Sequence, residues 1–167
     1  FLILMGISRR GGRPEGLALA FYIAFGIGLH NFGEGLAIGA AFAAGSAGLG
    51  TFLVLGFAIH NVTEGIGIAA PIVRQKPPLW AFVALTLIAG APAVFGMWIG
   101  SLAYGTQWSA LALGVGAGAI LQVIVEVTAF FLRGSGRQGQ YWLSPPVLSG
   151  FLTGLAFMYV TAAVIKV

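Results

Sequence analysis

His30-Asn31-Phe32-Gly33-Glu34-Gly35 and His60-Asn61-Val62-Thr63-Glu64-Gly65 are two versions of one hexapeptide. Each is followed by a similar tail, Leu36-Ala37-Ile38 in the first and Ile66-Gly67-Ile68 in the second. Together they hold both histidines of the chain and two of its four carboxylates, and each lies inside a long apolar run. A charge buried at the centre of a bilayer costs on the order of 3 kcal/mol or more, so two matched polar sets in apolar runs require a matched cause.

The apolar runs set the fold class. Of 167 residues, 59% are hydrophobic and only 7% are charged. Mean hydropathy is +0.99. Soluble domains carry about a quarter charged residues. Apolar runs of about 20 residues that recur along the whole chain instead describe a polytopic membrane protein. Hydrocarbon cannot satisfy an exposed backbone, and these runs are too long for barrel strands, which leaves an all-α transmembrane helical bundle. The chain has no cysteine, which excludes disulfide staples and thiolate metal sites. Its net charge of +4 sits almost wholly in loops beside helix ends and does not indicate a nucleic-acid partner.

The pattern predicts one transmembrane domain of five spans, at about 17–44, 49–73, 79–104, 108–132 and 145–167. Residues 1–7 read as the end of a preceding span, because Phe1-Leu2-Ile3-Leu4-Met5 lacks the basic front of a signal peptide. Arg9, Arg10 and Arg13 with Gly11 and Gly12 form a polar break. Pro14 and Glu15 then suit a first helical turn. Gly45-Ser46-Ala47-Gly48 reads as a tight turn, Arg74 to Pro78 as a loop, and Pro92 as a kink in the third span. A short neutral loop surrounds Gly105-Thr106-Gln107, and a longer one runs from Arg133 to Gln140. Small-xxx-small pairs at Gly35/Gly39, Gly96/Gly100, Gly114/Gly118 and Gly150/Gly154 predict close helix packing.

Successive loops alternate sides. Arg9, Arg10, Arg13, Arg74, Lys76, Arg133 and Arg137 then share one side, and of the eight basic residues only Lys166 lies across. The excess marks that side as cytoplasmic and puts the C-terminus outside.

Residues four apart on a helix share a face, so His30 lies over Glu34 and His60 over Glu64. Asn31 and Asn61 are neighbours of the same glutamates at three residues' spacing. Consecutive antiparallel spans can turn these faces toward each other. His30, Glu34, His60 and Glu64 make a set of two imidazoles and two carboxylates, which suits Zn²⁺ first and tolerates Cd²⁺, Fe²⁺, Mn²⁺ or Co²⁺. Asn31 and Asn61, with the two carboxylates bridging, make a harder site alongside. An inverted pair of polar motifs at the midplane is also how transporters build binding sites.

With these residues in place, the chain resembles the ZIP (Zrt-/Irt-like protein) metal transporters. The two hexapeptides look like the metal-binding fourth and fifth helices of that family, and the five spans resemble helices four to eight. The resemblance implies eight spans in a three-plus-two-plus-three arrangement, so that three preceding helices of the same protein are expected. It implies import of divalent metal into the cytoplasm and assigns His30, Glu34, His60 and Glu64 to the primary site. Asn31 and Asn61 with the glutamates match the second site. Glu126, in Gly118-Ala119-Ile120-Leu121-Gln122-Val123-Ile124-Val125-Glu126, matches a seventh-helix stretch that lines the cytoplasmic exit. It stands about 10 Å of helix from Arg133, on the cytoplasmic side of the midplane.

The chain also departs from the family. Thr63 replaces a common proline, which predicts a weaker helix break. Ala91, before Pro92, stands where several relatives have a glutamate that joins the second site. Val127 replaces a second acidic residue. The loop often rich in histidine is here the basic stretch Arg9 to Arg13.

The functional expectation is a transporter of divalent metal, zinc first, in the plasma membrane (the inner membrane of a bacterium). Lipid and the ion are its partners, a homodimer is left open, and no resident cofactor is expected. Neutral imidazole and ionised carboxylate are the binding forms, so binding weakens as pH falls. No phosphate-binding loop is present for ATP hydrolysis. A membrane metalloenzyme is disfavoured, because His-x-x-x-Glu is neither the H-E-x-x-H of zinc proteases nor the Glu-x-x-His of di-iron bundles. Polar pairs that merely fasten helices would contribute about 1 kcal/mol each and bind no metal.

Overall fold

A computed structural model describes residues 15–102, 106–134 and 144–164. Those residues form five helices: α1 Gly16–Ala43, α2 Ala47–Ala69, α3 Leu79–Leu102, α4 Thr106–Gly134 and α5 Pro145–Val164. The expectations for residues 1–14, Gly105, Arg137, Lys166 and Val167 lie outside the described residues. At 1.5 Å per residue even a 20-residue helix is about 30 Å long, the thickness of the hydrocarbon layer. By length and apolar composition α1, α2 and α3 can each cross a membrane. The other two helices contribute apolar stretches at Gly114–Ala129 and Pro145–Phe157.

Several helix ends differ from the sequence pattern. Glu15 is not in a first turn: it is extended at the N-cap of α1, because Gly16 takes a left-handed φ of +53° that breaks the helix there. The first turn is tighter than predicted. Gly45, at φ +74°, donates to the Phe42 carbonyl and Ser46 to the Ala41 carbonyl. This Schellman closure satisfies two free carbonyls of α1 and lets Ala47 and Gly48 start α2 at once. At its other end α2 stops at Ala69 and not near Val73. Pro71 has no N–H to continue the ladder, and the chain turns back with Ile72 wholly buried. In contrast, α4 takes in Thr106, Gln107 and Arg133, which the sequence pattern placed in loops.

The bundle is built around α1. In its most apolar window 56% of α1 is buried, against 6% for α2 and 17% for α3. Leu19, Ile23 and Ile27 recur every fourth residue and form one stripe. Together with Ala20 and Ala24 they pack on Ile68, Ile72, Leu85 and Ala89 to make the core. Large apolar side chains elsewhere face outward, including Trp80, Trp98, Phe95 and Phe151. Such a surface suits hydrocarbon and would be an aggregation hazard in water.

The glycines explain why α1 and α3 lie so close. A Cβ at Gly35 would meet the carbonyl of Ala93, and one at Gly96 would meet that of Phe32. Gly39 and Gly100 likewise face the carbonyls of Met97 and Leu36. These two predicted pairs therefore form the helix contact. At Gly114, Gly150 and Gly154, by contrast, nothing lies within 4 Å of an added Cβ among the described residues. Small residues permit close approach but do not supply a partner. Helix α3 continues through Pro92. Proline offers no N–H to the Ile88 carbonyl, and Gly28 packs against that oxygen.

Candidate metal centre

His30 is near the middle of α1, and His60 just past the middle of α2. The short turn between the helices makes them antiparallel, so each histidine meets the glutamate of the other helix. Glu34 Oε1 lies 2.7 Å from His60 Nε2 and 3.2 Å from His30 Nε2. The contact between His30 Nε2 and Glu64 Oε1 is longer, at 3.9 Å. One ligand atom from each of His30, Glu34 and His60 falls within 4.8 Å of the others, close enough to hold one ion. The imidazole centroids are 6.5 Å apart.

Backbone and ring contacts orient these side chains. His30 Nδ1 lies 3.3 Å from the carbonyl oxygen of Gly116 in α4. A carbonyl only accepts, so this bond puts a proton on Nδ1 and leaves Nε2 as the nitrogen directed at Glu34. His60 packs edge-on to Phe57, with centroids 5.4 Å apart. The Thr63 hydroxyl donates to the His60 carbonyl at 2.6 Å. Helix α2 runs unbroken through Thr63, in keeping with the missing proline.

A second group lies next to the first. Asn31 is buried and its Nδ2 donates to the Ala89 carbonyl of α3 at 3.1 Å. The opposite face of that amide, Oδ1, has no donor, and neither has Asn61 Oδ1 or Glu64 Oε2. Asn31, Asn61 and Glu64 line one cavity of about 250 Å³. Ile27, Ile68, Ile72 and Leu85 line it too, together with Thr86. Three buried oxygens without donors suit an oxygen-seeking cation. Glu64 thus belongs to both groups: its Oε1 contacts His30, and it lines the cavity with Asn31 and Asn61.

Glu126 is buried and remote from this cluster. It stands ten residues beyond Gly116, about 15 Å along α4. Gln122 Nε2 donates to Glu126 Oε1 at 2.9 Å. The sequence reading passed over Gln122, and also the Gly116 and Ala89 carbonyls. For Gln122 a signal existed, a polar amide one helical turn before a carboxylate in an apolar span. The carbonyl contacts had none, since every residue has a carbonyl.

A family model described as ZIP zinc transporter matches residues 12–162. The chain is also similar to zinc transporter ZIP10 of Homo sapiens and of Mus musculus, 30% identical over 164 residues in each case. These matches cover 90% of this chain and 19% of each relative, so the chain spans about a fifth of their length. No solved structure matches at the same stringency.

Proposed function

The chain belongs to the ZIP zinc transporter family, and from that premise we propose that it carries divalent metal, Zn²⁺ first, through a site between α1 and α2. The observation that carries this reading is the single carboxylate oxygen of Glu34 set between two imidazoles from opposed helices. His30, Glu34 and His60 supply the first ligands. Glu64 completes that set and reaches into the second, where the Asn31 and Asn61 oxygens favour a harder ion or a partly hydrated one.

Inward movement is supported by charge. Arg74 and Lys76 occupy the connection between α2 and α3, whereas the turn between α1 and α2 carries no charge. The N-terminal end of α1 and the C-terminal end of α4 then face the cytoplasm. An ion entering from outside exchanges waters for imidazole and carboxylate at the midplane and leaves toward Glu126. Both histidines and both glutamates act as ligands, and the chemistry ends at binding and release.

Metal uptake into proteoliposomes holding the full-length protein, measured over Zn²⁺, Cd²⁺, Fe²⁺, Mn²⁺ and Co²⁺, tests the proposal. Uptake of at least one ion should occur, be led by Zn²⁺, and vanish with Glu34→Ala. Absence of uptake for all five ions, or full uptake by Glu34→Ala, removes it.

A further inference from the structure

The connection between α2 and α3 is a pinned strap. Ile72 donates to the Ala69 carbonyl and Gln75 to the Ile72 carbonyl, so two turns follow each other directly. Ile72 is wholly buried in the core, and the Gln75 amide lies over Gly16 at the start of α1. Pinned at these two points, the strap turns Val73, Arg74 and Lys76 outward, and Leu79 and Trp80 follow them at the start of α3, all exposed. We propose that Arg74 and Lys76, with the apolar rim of Val73, Leu79 and Trp80, form a docking site for one anionic phospholipid. The two cations hold its headgroup phosphate, and the rim holds the upper part of an acyl chain.

The first support is depth. Trp80 and Trp98 are both exposed on α3 and stand 18 residues apart. Five full turns of helix separate them, so they share a face at a distance of about 27 Å, close to the thickness of the hydrocarbon layer. Tryptophans of a membrane helix gather at its two boundaries. Trp80 therefore marks a headgroup level, and the strap that leads into it, with Gln75 over the start of α1, lies at that level too.

The second support is charge. Neither Arg74 nor Lys76 has an ion pair among the described residues, although Glu15 stands at the same end of the bundle. They are two residues apart, so their Cα atoms are at most about 7 Å from each other. A guanidinium grips phosphate oxygens in a fork and an ammonium adds a point charge. A zwitterionic headgroup brings its own cation to such a place, whereas an anionic one brings none. The Trp98 end of α3 offers no counterpart, since residues 93–102 and the turn at 44–46 contain no charged side chain.

The third support is backbone strain. Lys76 has a left-handed φ of 46°, and among the described residues it is the non-glycine that does so. A side chain is disfavoured in that conformation, which glycine adopts freely. A lysine kept there places its ammonium beside Arg74 at a cost that glycine would avoid, and strain of this kind marks sites where the side chain is used.

Photo-crosslinking tests the site by position. The full-length protein is placed in phosphatidylcholine vesicles seeded with a phosphatidylglycerol or a phosphatidylcholine probe, each photoreactive near the top of one acyl chain. Peptide mass spectrometry should find residues 73–80 labelled at least about fivefold more by the phosphatidylglycerol probe, the effect of one basic residue near an anionic surface. Arg74→Gln with Lys76→Gly removes both charges and fits the left-handed backbone, and it should bring the two probes level. Arg74→Lys with Lys76→Arg keeps the charges and should keep the preference within about threefold. Excess inorganic phosphate should leave the labelling unchanged, because a free anion makes no use of the rim. Equal labelling by the two probes, a preference that survives in the neutral variant, its loss in the charge-keeping variant, or displacement by phosphate each overturns the assignment. All four outcomes leave the transport reading standing.

Discussion

Glu34 and His60 sit on opposite helices, yet their Oε1 and Nε2 are only 2.7 Å apart. Ligand atoms around a tetrahedral Zn²⁺ at about 2.0–2.2 Å are roughly 3.4 Å from one another. The His30 contacts, at 3.2 and 3.9 Å, straddle that spacing. The Glu34–His60 pair is shorter than that spacing and would have to open for both atoms to bind one ion.

Glu34→Ala should therefore be the most damaging single change in the cluster, because it removes the oxygen shared by both imidazoles. Isothermal titration with Zn²⁺ should show at least about a hundredfold loss of affinity, or roughly 2.7 kcal/mol. The double variant His30→Ala, His60→Ala should lose Zn²⁺ preference in favour of harder ions, since imidazole is the softer ligand. Unaltered Zn²⁺ affinity in that double variant would end the assignment.

Binding should weaken as pH falls. Each proton taken by an imidazole nitrogen or a carboxylate occupies a lone pair that the ion needs, so protons and metal compete. Zn²⁺ affinity measured at pH 7.5 and 5.5 should drop by at least about tenfold in the unmodified protein. The drop should shrink in the double histidine variant. A pH-independent affinity would contradict histidine ligation.

The second group predicts a change in stoichiometry. Asn31→Ala and Asn61→Ala each delete one of the donorless oxygens while leaving His30, Glu34 and His60 in place. Equilibrium dialysis should show one weak equivalent of metal lost and the tight one kept within about tenfold, or about 1.4 kcal/mol. Loss of the tight equivalent in either variant would merge the two groups into one site.

The glycine contact between α1 and α3 predicts which substitutions unfold the bundle. Gly35→Ala drives a methyl into the Ala93 carbonyl and Gly96→Ala into that of Phe32. Overpacking of this kind costs about 1–3 kcal/mol, and backbone atoms cannot step aside as side chains do. Gly67→Ala meets open space among the described residues and should be neutral or slightly stabilising. Thermal unfolding in detergent should separate the first two from the third, and equal melting temperatures would refute the contact.

Glu126→Gln should lower the maximal uptake rate while Zn²⁺ affinity at the His30/Glu34/His60 cluster changes by less than about tenfold, or roughly 1.4 kcal/mol. The distance of about 15 Å along α4 from Gly116 keeps Glu126 out of that coordination sphere. A collapse of equilibrium binding equal to that of Glu34→Ala would put it inside.

Much of this molecule was legible in one dimension because helices in lipid obey local rules. Apolar length fixed the class and most helix limits, and the four-residue spacing put His30 over Glu34 without reference to any other segment. The repeat of that spacing at His60 and Glu64, on a consecutive helix, was enough to expect the two faces to meet. Tertiary structure decided what depends on the side a helix turns to its neighbours. It distinguished Gly35 and Gly96, which touch a partner backbone, from Gly114 and Gly150, which touch none among the described residues, although all four share one sequence signature. It set Glu64 against His30 and in one cavity with Asn31 and Asn61, and it showed that Gln122 is buried and bound to Glu126. It also supplied the Gly116 and Ala89 carbonyls that orient His30 and Asn31. Every residue carries such a carbonyl, and only the packing of one helix on another determines which of them is within reach.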